Sequence, residues 1–553
     1  MKRFRNYYRT TLNLHTMAYK LRFNILALFL APTWIFGQTN INFGSVNEQS
    51  STFKTVNYNS SDFPKGSGDS VHTYFSIMGN DWTTSSVTAP SKLGLKNGAS
   101  GQVNVSFEPK QNVMHKGLVL VESEYSVEQI IEVEGQGTFS NSYYSTTRNL
   151  SEEALKTALN TLLNNGTVSL GYNTARDNMY ATIDNSGGRV ECVYTGKMAA
   201  FTTRAGANAA NFNCEHTYPQ GFFSSIDPEK SDIHHLFPTT TTSNSRRGND
   251  PFGAVSNPIW TDGGSRSGGG KFEPRDAQKG VVARSMMYFV LRHGDFSDNG
   301  TPFLSKQEAI LRTWHTQFGV NQQEKDRNDA IFALQKNRSP FVDYPQLLER
   351  ITKISGTSMA AAKFDLQFSR NLRDMTFGNL DTQTVQVVLY NSGNQEITVS
   401  SIDFEKNELK LVEFAQTFPI KIAVGSYLAF RFGGSAGSVI DFDDNLLIKT
   451  NATGLDNLKF NYKGSAKGNS VKELHAQLIS AYPNPAQNHI SFVGLSPTEA
   501  QTEALVYDAT GKVFIRAILN SNELNIVQLP AGNYIAVIKE SGKAVYQSRF
   551  VKE

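Results

Sequence analysis

The densest run of chemically capable side chains is Asn213-Cys214-Glu215-His216-Thr217-Tyr218-Pro219-Gln220, followed by Asp232-Ile233-His234-His235-Leu236-Phe237-Pro238 and then Asn244-Ser245-Arg246-Arg247-Gly248-Asn249. Imidazole titrates near neutral pH, so a positioned neutral imidazole among these histidines can take a proton from water. The oxygens of Glu and Asn side chains in these runs are hard donors suited to Mg²⁺ or Ca²⁺, and two protein ligands leave coordination positions for water and for substrate oxygens. Arg246 or Arg247 can clamp a phosphate. Hydrolysis of a phosphodiester needs an activated water, a Lewis acid on the phosphate and charge relief at the leaving oxygen, and these residue types supply all three.

Each piece also has a structural reading. An isolated histidine is commonly a structural hydrogen bonder, and Asp232 is a good N-cap for a short helix. A zinc site on His216, His234, His235 and Cys214 lacks any His-Glu-x-x-His or Cys-x-x-Cys spacing. Neighbours on a regular strand point to opposite faces, yet Glu215 and His216 would have to serve one phosphate. The backbone there is therefore expected to be a strand end or a bulge, with a cation lying across its edge.

The elements that must position these groups change along the chain. Ile41-Asn42-Phe43-Gly44 opens a stretch of short alternating segments that closes near Gln129 to Gly135, which reads as an antiparallel β-sandwich over residues 39–139. A second copy is read over 364–465, where Met375-Thr376-Phe377-Gly378 precedes the segment Val385 to Gly393. Both resemble immunoglobulin-like modules, with unrelated β domains as the alternative; neither clusters acids, bases or metal ligands, so spacing or adhesion is their expected role. Between them, residues 140–360 read as one α+β domain. Leu155, Ala158, Leu159, Leu162 and Leu163 recur at helical spacing between Ser151 and Asn165-Gly166, Val281 to Leu291 signals another helix, and Ser305-Lys306-Gln307-Glu308 reads as a capping box. Residues 474–553 alternate again, with turns at Asp508-Ala509-Thr510-Gly511-Lys512 and Pro530-Ala531-Gly532, and read as a small sandwich.

Composition sets the bounds. A chain of 553 residues exceeds one core, and 39% hydrophobic with 19% charged residues describes ordinary globular material. Lys plus Arg at 53 against Asp plus Glu at 50 leaves +3, too little to imply a polyanion partner without local clustering. A basic stretch from Lys2 to Arg22, an apolar run from Ile25 to Phe36 and then Gly37-Gln38 follow the order of a signal peptide, assigned to residues 1–38, and no later segment is read as crossing a bilayer. Export permits a disulfide, and Cys192 with Cys214, the two cysteines, are expected to form one; two buried free thiols are the alternative.

The central run resembles the endonuclease I family of secreted bacterial nucleases. The resemblance is carried by Glu215-His216-Thr217-Tyr218-Pro219-Gln220, the Asp232 to Pro238 block, Asn244, Arg247-Gly248-Asn249, Pro251-Phe252-Gly253, Phe272 to Asp276, Lys279-Gly280 with Ala283-Arg284, Glu324 with Arg327-Asn328, and Gln335 with Pro340 to Asp343. It implies a ββα-metal site in which Glu215 and Asn244 bind the cation, Mg²⁺ with Ca²⁺ or Mn²⁺ as alternatives, and His216 is the general base. A transition-state arginine is also implied, to be found among Arg246, Arg247 and Arg284. Arg247 is taken for that role, with Arg246, Arg284 and Asn249 as substrate contacts. Tyr218 stands where the family often has Trp, Thr240 where it often has Asp and Val282 where an acidic residue is usual, and the last two make the site less acidic. The tail, through Tyr482-Pro483-Asn484-Pro485, the Tyr507 to Lys512 turn and Leu529 to Tyr534, resembles the sorting domain of the type IX secretion pathway, with a carbohydrate-binding sandwich as the alternative. Together these imply a secreted or surface-attached monomeric endonuclease acting on DNA with little sequence preference and leaving 5′-phosphate ends. The competing expectations are a ribonuclease and an inactive surface binder of nucleic acid.

Overall fold

The computed structural model describes residues 39–59, 70–79, 92–96, 100–123, 126–381, 384–434, 440–467, 480–493, 495, 502–508, 512–540 and 543–553. The leader assigned to residues 1–38 lies outside the described residues, as do Leu474 and the turn centre at 509–511. The chain is a mixed α/β multidomain protein with many sheets. Among the described residues its buried apolar side chains gather into separate cores spanning residues 41–131, 139–354, 366–462 and 486–550, in a chain too long for a single core. A further cluster bridges the first and second sandwiches.

In the first sandwich, Thr39–Asn47, Val127–Thr138, Met114–Glu122, Ser70–Gly79 and Lys92–Lys96 form a sheet in that order, and Val105 of the pair Thr52–Asn59 and Ser100–Phe107 packs against it. The second sandwich closes Val387, Leu389, Phe430 and Phe432 of one sheet against Val399, Ile402, Leu446 and Ile448 of the other. The expectation of purely antiparallel sheets is corrected: Thr39–Asn47 runs parallel to Val127–Thr138, and Met375–Asp381 runs parallel to Asn457–Lys467. In both parallel pairs the register shifts across the shared Phe-Gly step, between Asn42 and Ser45 and between Thr376 and Asn379. An extra residue at that step bends the strand and locally breaks its pairing.

Val385–Asn391 is buried at every position, which the alternating pattern of a half-solvated strand does not explain. One face fills its own core, while Val388 and Tyr390 pack onto Leu118, Leu120, Val127 and Ile130 of the first sandwich. Tyr390 donates to the Lys116 carbonyl at 3.0 Å, and the Gln367 amide exchanges two hydrogen bonds with the Gly79 backbone, at 3.0 and 2.8 Å. The two sandwiches that bracket the central domain in sequence therefore hold each other in space.

The central domain starts with α1 (Glu152–Asn164), whose Leu155, Leu159 and Leu163 are fully buried, and α2 (Tyr172–Asn178). The strands β1 (Phe212–His216) and β2 (Leu236–Thr240) and the helix α3 (Thr241–Arg247) follow. Then come α4 (Asp276–His293), α5 (Glu308–Gln317) and α6 (Gln322–Gln335). Helix α4 is buried without interruption from Val282 to Arg292, the signature of a central helix rather than an amphipathic surface one. The expected capping box is corrected: Ser305 lies in a preceding short turn, and Glu308 instead accepts from the Ile354 and Ser355 backbone at 2.7 and 3.0 Å, tying the end of the domain to α5.

The tail motifs close its turns. Asp508 Oδ1 accepts from the Lys512 backbone N–H at 3.0 Å, and the Tyr534 hydroxyl donates to the Pro530 carbonyl at 3.0 Å. The Asn484 side chain acts as a strand partner, donating to the Arg549 carbonyl at 3.1 Å and accepting from the Val551 N–H at 2.9 Å. Among the described residues no helix is long and apolar enough to cross a membrane.

Candidate active site

Strands β1 and β2 pair antiparallel without a register break, with Glu215 opposite Phe237 and His216 opposite Leu236. The expected bulge is therefore absent, whereas the expected strand end is present: His216 is the last residue of β1. Helix α3 begins directly after β2, and the Thr240 hydroxyl caps it by accepting from the Ser243 N–H at 3.3 Å. Thr240 is thus a helix cap where an acidic residue was noted as usual. Gly248 ends the helix at φ +53°, a conformation that favours glycine, with its N–H on the Asn244 carbonyl.

Glu215 is almost wholly buried, with only 1% of its surface exposed. Its Oε1 accepts from the Tyr194 hydroxyl at 2.8 Å and lies 3.0 Å from Arg247 Nε, whose N–H is not aimed to bond it. Its Oε2 receives no protein hydrogen bond among the described residues. Burial outweighs the nearby guanidinium and pushes the Glu215 carboxyl up to about 7. A cation beside it would favour the ionised form.

His216 is nearly buried and its Nε2 lies 3.2 Å from the Lys230 carbonyl. A carbonyl only accepts, so Nε2 carries the proton and Nδ1 keeps the lone pair. Burial pushes the ring down to about 4, which keeps it neutral near physiological pH. Tyr172 and His235 pack against it with ring centroids at 5.4 and 5.3 Å.

Asn244, one turn into α3, donates its Nδ2 to the Cys214 carbonyl at 3.4 Å. That bond anchors the amide to β1 and leaves Oδ1 as the donor atom to be shared. Glu215 and Asn244 thus offer oxygens only, a set that fits a hard divalent cation with water filling the remaining positions. No group of three or more His, Cys, Asp or Glu side chains gathers as a metal cluster among the described residues. His234 and His235 are buried with their Nε2 atoms on the Asn337 and Glu229 carbonyls, at 3.2 and 2.6 Å, which assigns them to structure.

The arginines divide sharply. Arg247 is buried, its Nη2 donating to the Thr217 carbonyl at 2.6 Å and its Nη1 to the Gly248 carbonyl at 2.9 Å, with Phe252 beneath its guanidinium at 4.7 Å. It ties the end of β1 to α3 beside Glu215, rather than reaching a phosphate. Arg284 is also withdrawn from its expected substrate contact: it is 2% exposed and grips Glu324 with two bonds, at 2.6 and 2.7 Å. Arg246 and Asn249 are exposed at the end of α3 and just past it, the two expected contacts that remain open to a ligand. Val282 is buried in the core.

The expected disulfide is corrected. Cys192 and Cys214 are free and buried. Cys214 pairs with Pro238, while the Cys192 sulfur touches the Thr239 and Ser243 hydroxyls at 3.6 and 3.5 Å. Adjacent positions of β2 face opposite ways, so the two thiols lie on opposite faces of the hairpin. Burial pushes the Cys214 thiol up to about 12, leaving it unreactive at neutral pH.

Sequence reasoning missed Tyr194, which holds Glu215, and the trio Tyr172, Arg176 and Lys230 beside His216. The four-residue spacing of Tyr172 and Arg176 on one helix was the only signal available for the trio.

Comparison with known proteins places these residues in a family. The Endonuclease I family model matches residues 151–346, and the secretion-system C-terminal sorting domain model matches residues 480–553. An extracellular ribonuclease of Bacillus amyloliquefaciens is 30% identical over 229 residues, covering 38% of this chain and 78% of that protein. An extracellular ribonuclease of Bacillus subtilis is 29% identical over 229 residues, covering the same 38% and 78%. Among solved structures, an ASH/PapD-like domain of human CEP192 aligns at 12% identity over 19% of this chain and 84% of that domain, with a TM-score of 0.15.

Proposed function

From the premise that this chain belongs to the Endonuclease I family and is a secreted nuclease, we propose that it hydrolyses phosphodiester bonds with His216 as general base and a divalent cation on Glu215 and Asn244. The observation that carries the reading is the commitment of His216 Nε2 to the Lys230 carbonyl, which leaves a neutral Nδ1 lone pair at the end of the strand bearing Glu215. The unit of β1, β2 and α3 is then a ββα-metal site. Nδ1 receives the proton of the attacking water. When bound, the cation, Mg²⁺ or else Ca²⁺ or Mn²⁺, supplies Lewis acidity on the phosphate and offsets charge at the leaving oxygen. Arg247 positions Glu215, and Arg246 with Asn249 contacts the phosphate backbone, leaving 5′-phosphate ends.

DNA is the proposed substrate, with little sequence preference, because the open contacts address phosphate rather than base edges. RNA is the second reading, favoured by the relatives named as extracellular ribonucleases. The flanking sandwiches, residues 39–139 and 364–465, are assigned as immunoglobulin-like spacers around the nuclease domain, 140–360. The protein is secreted or attached at the cell surface, and its tail directs it to the type IX secretion machinery.

The test compares cleavage of plasmid DNA and of total RNA, with and without EDTA, by the full chain and by His216→Ala. The variant is expected to lose about 100-fold or more in rate, the scale of general-base catalysis, while still binding cation and nucleic acid. Near-normal cleavage by folded His216→Ala would overturn the mechanism, and an inert parent chain would favour a surface binder.

A further inference from the structure

Several buried or half-buried cations in the nuclease domain have carboxylate partners. Arg284 pairs with Glu324, Arg292 with Asp232, Arg327 with Asp184, Arg338 with Asp343 and Arg204 with Asp177. Arg176 and Lys230 are among those that have none: among the described residues neither has an ion-pair partner, although Asp177 is the neighbour of Arg176 in sequence and is taken by Arg204. Both instead lie over one ring, that of Tyr172, with the Arg176 guanidinium carbon at 4.1 Å and the Lys230 ammonium at 4.9 Å from its centroid. Arg176 Nη2 donates to Asn173 at 2.9 Å, and its Nε is buried with no partner. The same Tyr172 ring packs on His216 at 5.4 Å, and the Lys230 carbonyl is the group that fixes the His216 tautomer.

We propose that Arg176 and Lys230, oriented by Tyr172, form a cationic seat for the phosphodiester backbone of the substrate strand beside His216. The proposal rests on the nuclease reading and names the part of the site that grips the strand. Two like charges gathered on one ring repel each other, and a phosphate bound between them would relieve that repulsion. The ring is the orienting device, since a cation over an aromatic face is attracted by its quadrupole and keeps its outer N–H groups for another acceptor. Because the cations occupy the ring, the seat addresses the charged backbone rather than offering a platform for base stacking. It also supplies, from α2 and the segment before β2, the positive charge that the buried Arg247 and Arg284 cannot bring to a substrate.

The test uses the full chain in EDTA with a fluorescein-labelled single-stranded DNA, its integrity verified on a gel, and follows binding by anisotropy across a range of salt concentrations. Arg176→Gln and Lys230→Gln are each expected to weaken binding at low salt and to lower the slope of log affinity against log salt by about 0.7, the value for one phosphate contact on a single strand. Arg176→Lys and Lys230→Arg keep the charge and are expected to keep the parental slope, which separates a charge effect from misfolding. Unchanged slopes in both glutamine variants would overturn the seat, as would equal loss in the charge-conserving pair. The parent is assayed in parallel for plasmid cleavage with Mg²⁺. A parent that cleaves while the slopes stay fixed refutes the seat alone, whereas a parent that never cleaves refutes the nuclease reading beneath it.

Discussion

Of the carboxylates buried against an arginine in the nuclease domain, Asp232 and Glu215 are built in opposite ways. Asp232 accepts at Oδ1 from the His234 N–H and Gln335, at 3.1 and 2.9 Å, and at Oδ2 from Tyr288 and His293, both at 2.9 Å, with Arg292 alongside. Burial alone would raise it, but Arg292 and these donors win, and its carboxyl is held well below the usual range. Glu215 has one hydroxyl donor and an arginine that is close but not aimed at it, and burial wins. The first carboxylate is saturated by the protein and serves the fold. The second is left with bonding capacity at a strand end, which is what a ligand-binding oxygen requires. Burial and an arginine partner are common to both, so the number and aim of donors, rather than depth, separate structure from chemistry here.

The comparison breaks most easily at Asp232. Asp232→Ala should cost about 3 to 5 kcal/mol, the scale for stripping the partner from a buried charge, read by urea unfolding. Cleavage per folded molecule should persist, and a small stability loss would erase the contrast. Glu215→Gln should do the reverse. It should weaken cation affinity by at least about 10- to 100-fold, by titration calorimetry, with little change in melting temperature near pH 6, where the native carboxyl is largely protonated. A collapse of stability in that variant would return Glu215 to the structural class.

A pH series sharpens the same point. The folded chain keeps a proton on Glu215 up to about 7, whereas its ordinary value is 4.5, so between those values the unfolded chain ionises first. The contribution of Glu215 to stability therefore falls as pH rises through that window, opposite to a carboxylate such as Asp232 whose value is depressed. The stability of the parent minus that of Glu215→Gln, measured without cation from about pH 5 to about pH 8, should decline with pH, and excess Mg²⁺ should flatten the decline. A flat difference without cation would contradict the raised carboxyl. The smallest effect is expected from reductant: with both thiols free, activity and melting temperature should not change, and alkylation of denatured, unreduced protein should label two cysteines. One disulfide found by mass would restore the bond excluded above.

Much of this was legible before the structure. Glu215 and His216 stood out as part of a dense run of capable residue types, their roles and that of Asn244 came through the family resemblance, and alternation marked the sandwiches and the tail. Arg284 did not declare its partner, because Glu324 lies forty residues on and only the packing of α4 against α6 brings them together. Cys192 and Cys214 misled for a related reason: nearness in sequence says nothing about which face of a hairpin each thiol takes. The seat at Tyr172 was hidden because its cations come from a short helix and from a single 3₁₀ turn, neither with a pattern of its own. The burial of Val385–Asn391 on both faces fits its apolar stretch from Val387 to Tyr390, but nothing in that stretch names the partner that covers it.

The mutual grip of the two sandwiches makes the nuclease domain the middle of a closed ring of chain. Ser224, Ser225, Ile226 and Asp227 form an exposed loop between β1 and β2. A protease that severed this loop would create two fragments, each still carrying one sandwich. They would stay clasped through Val388 and Tyr390 and through the shared nuclease core, migrating as one particle on a native gel and as two bands once denatured. For a protein that works outside the cell among proteases, a nick is then survivable damage rather than dissociation.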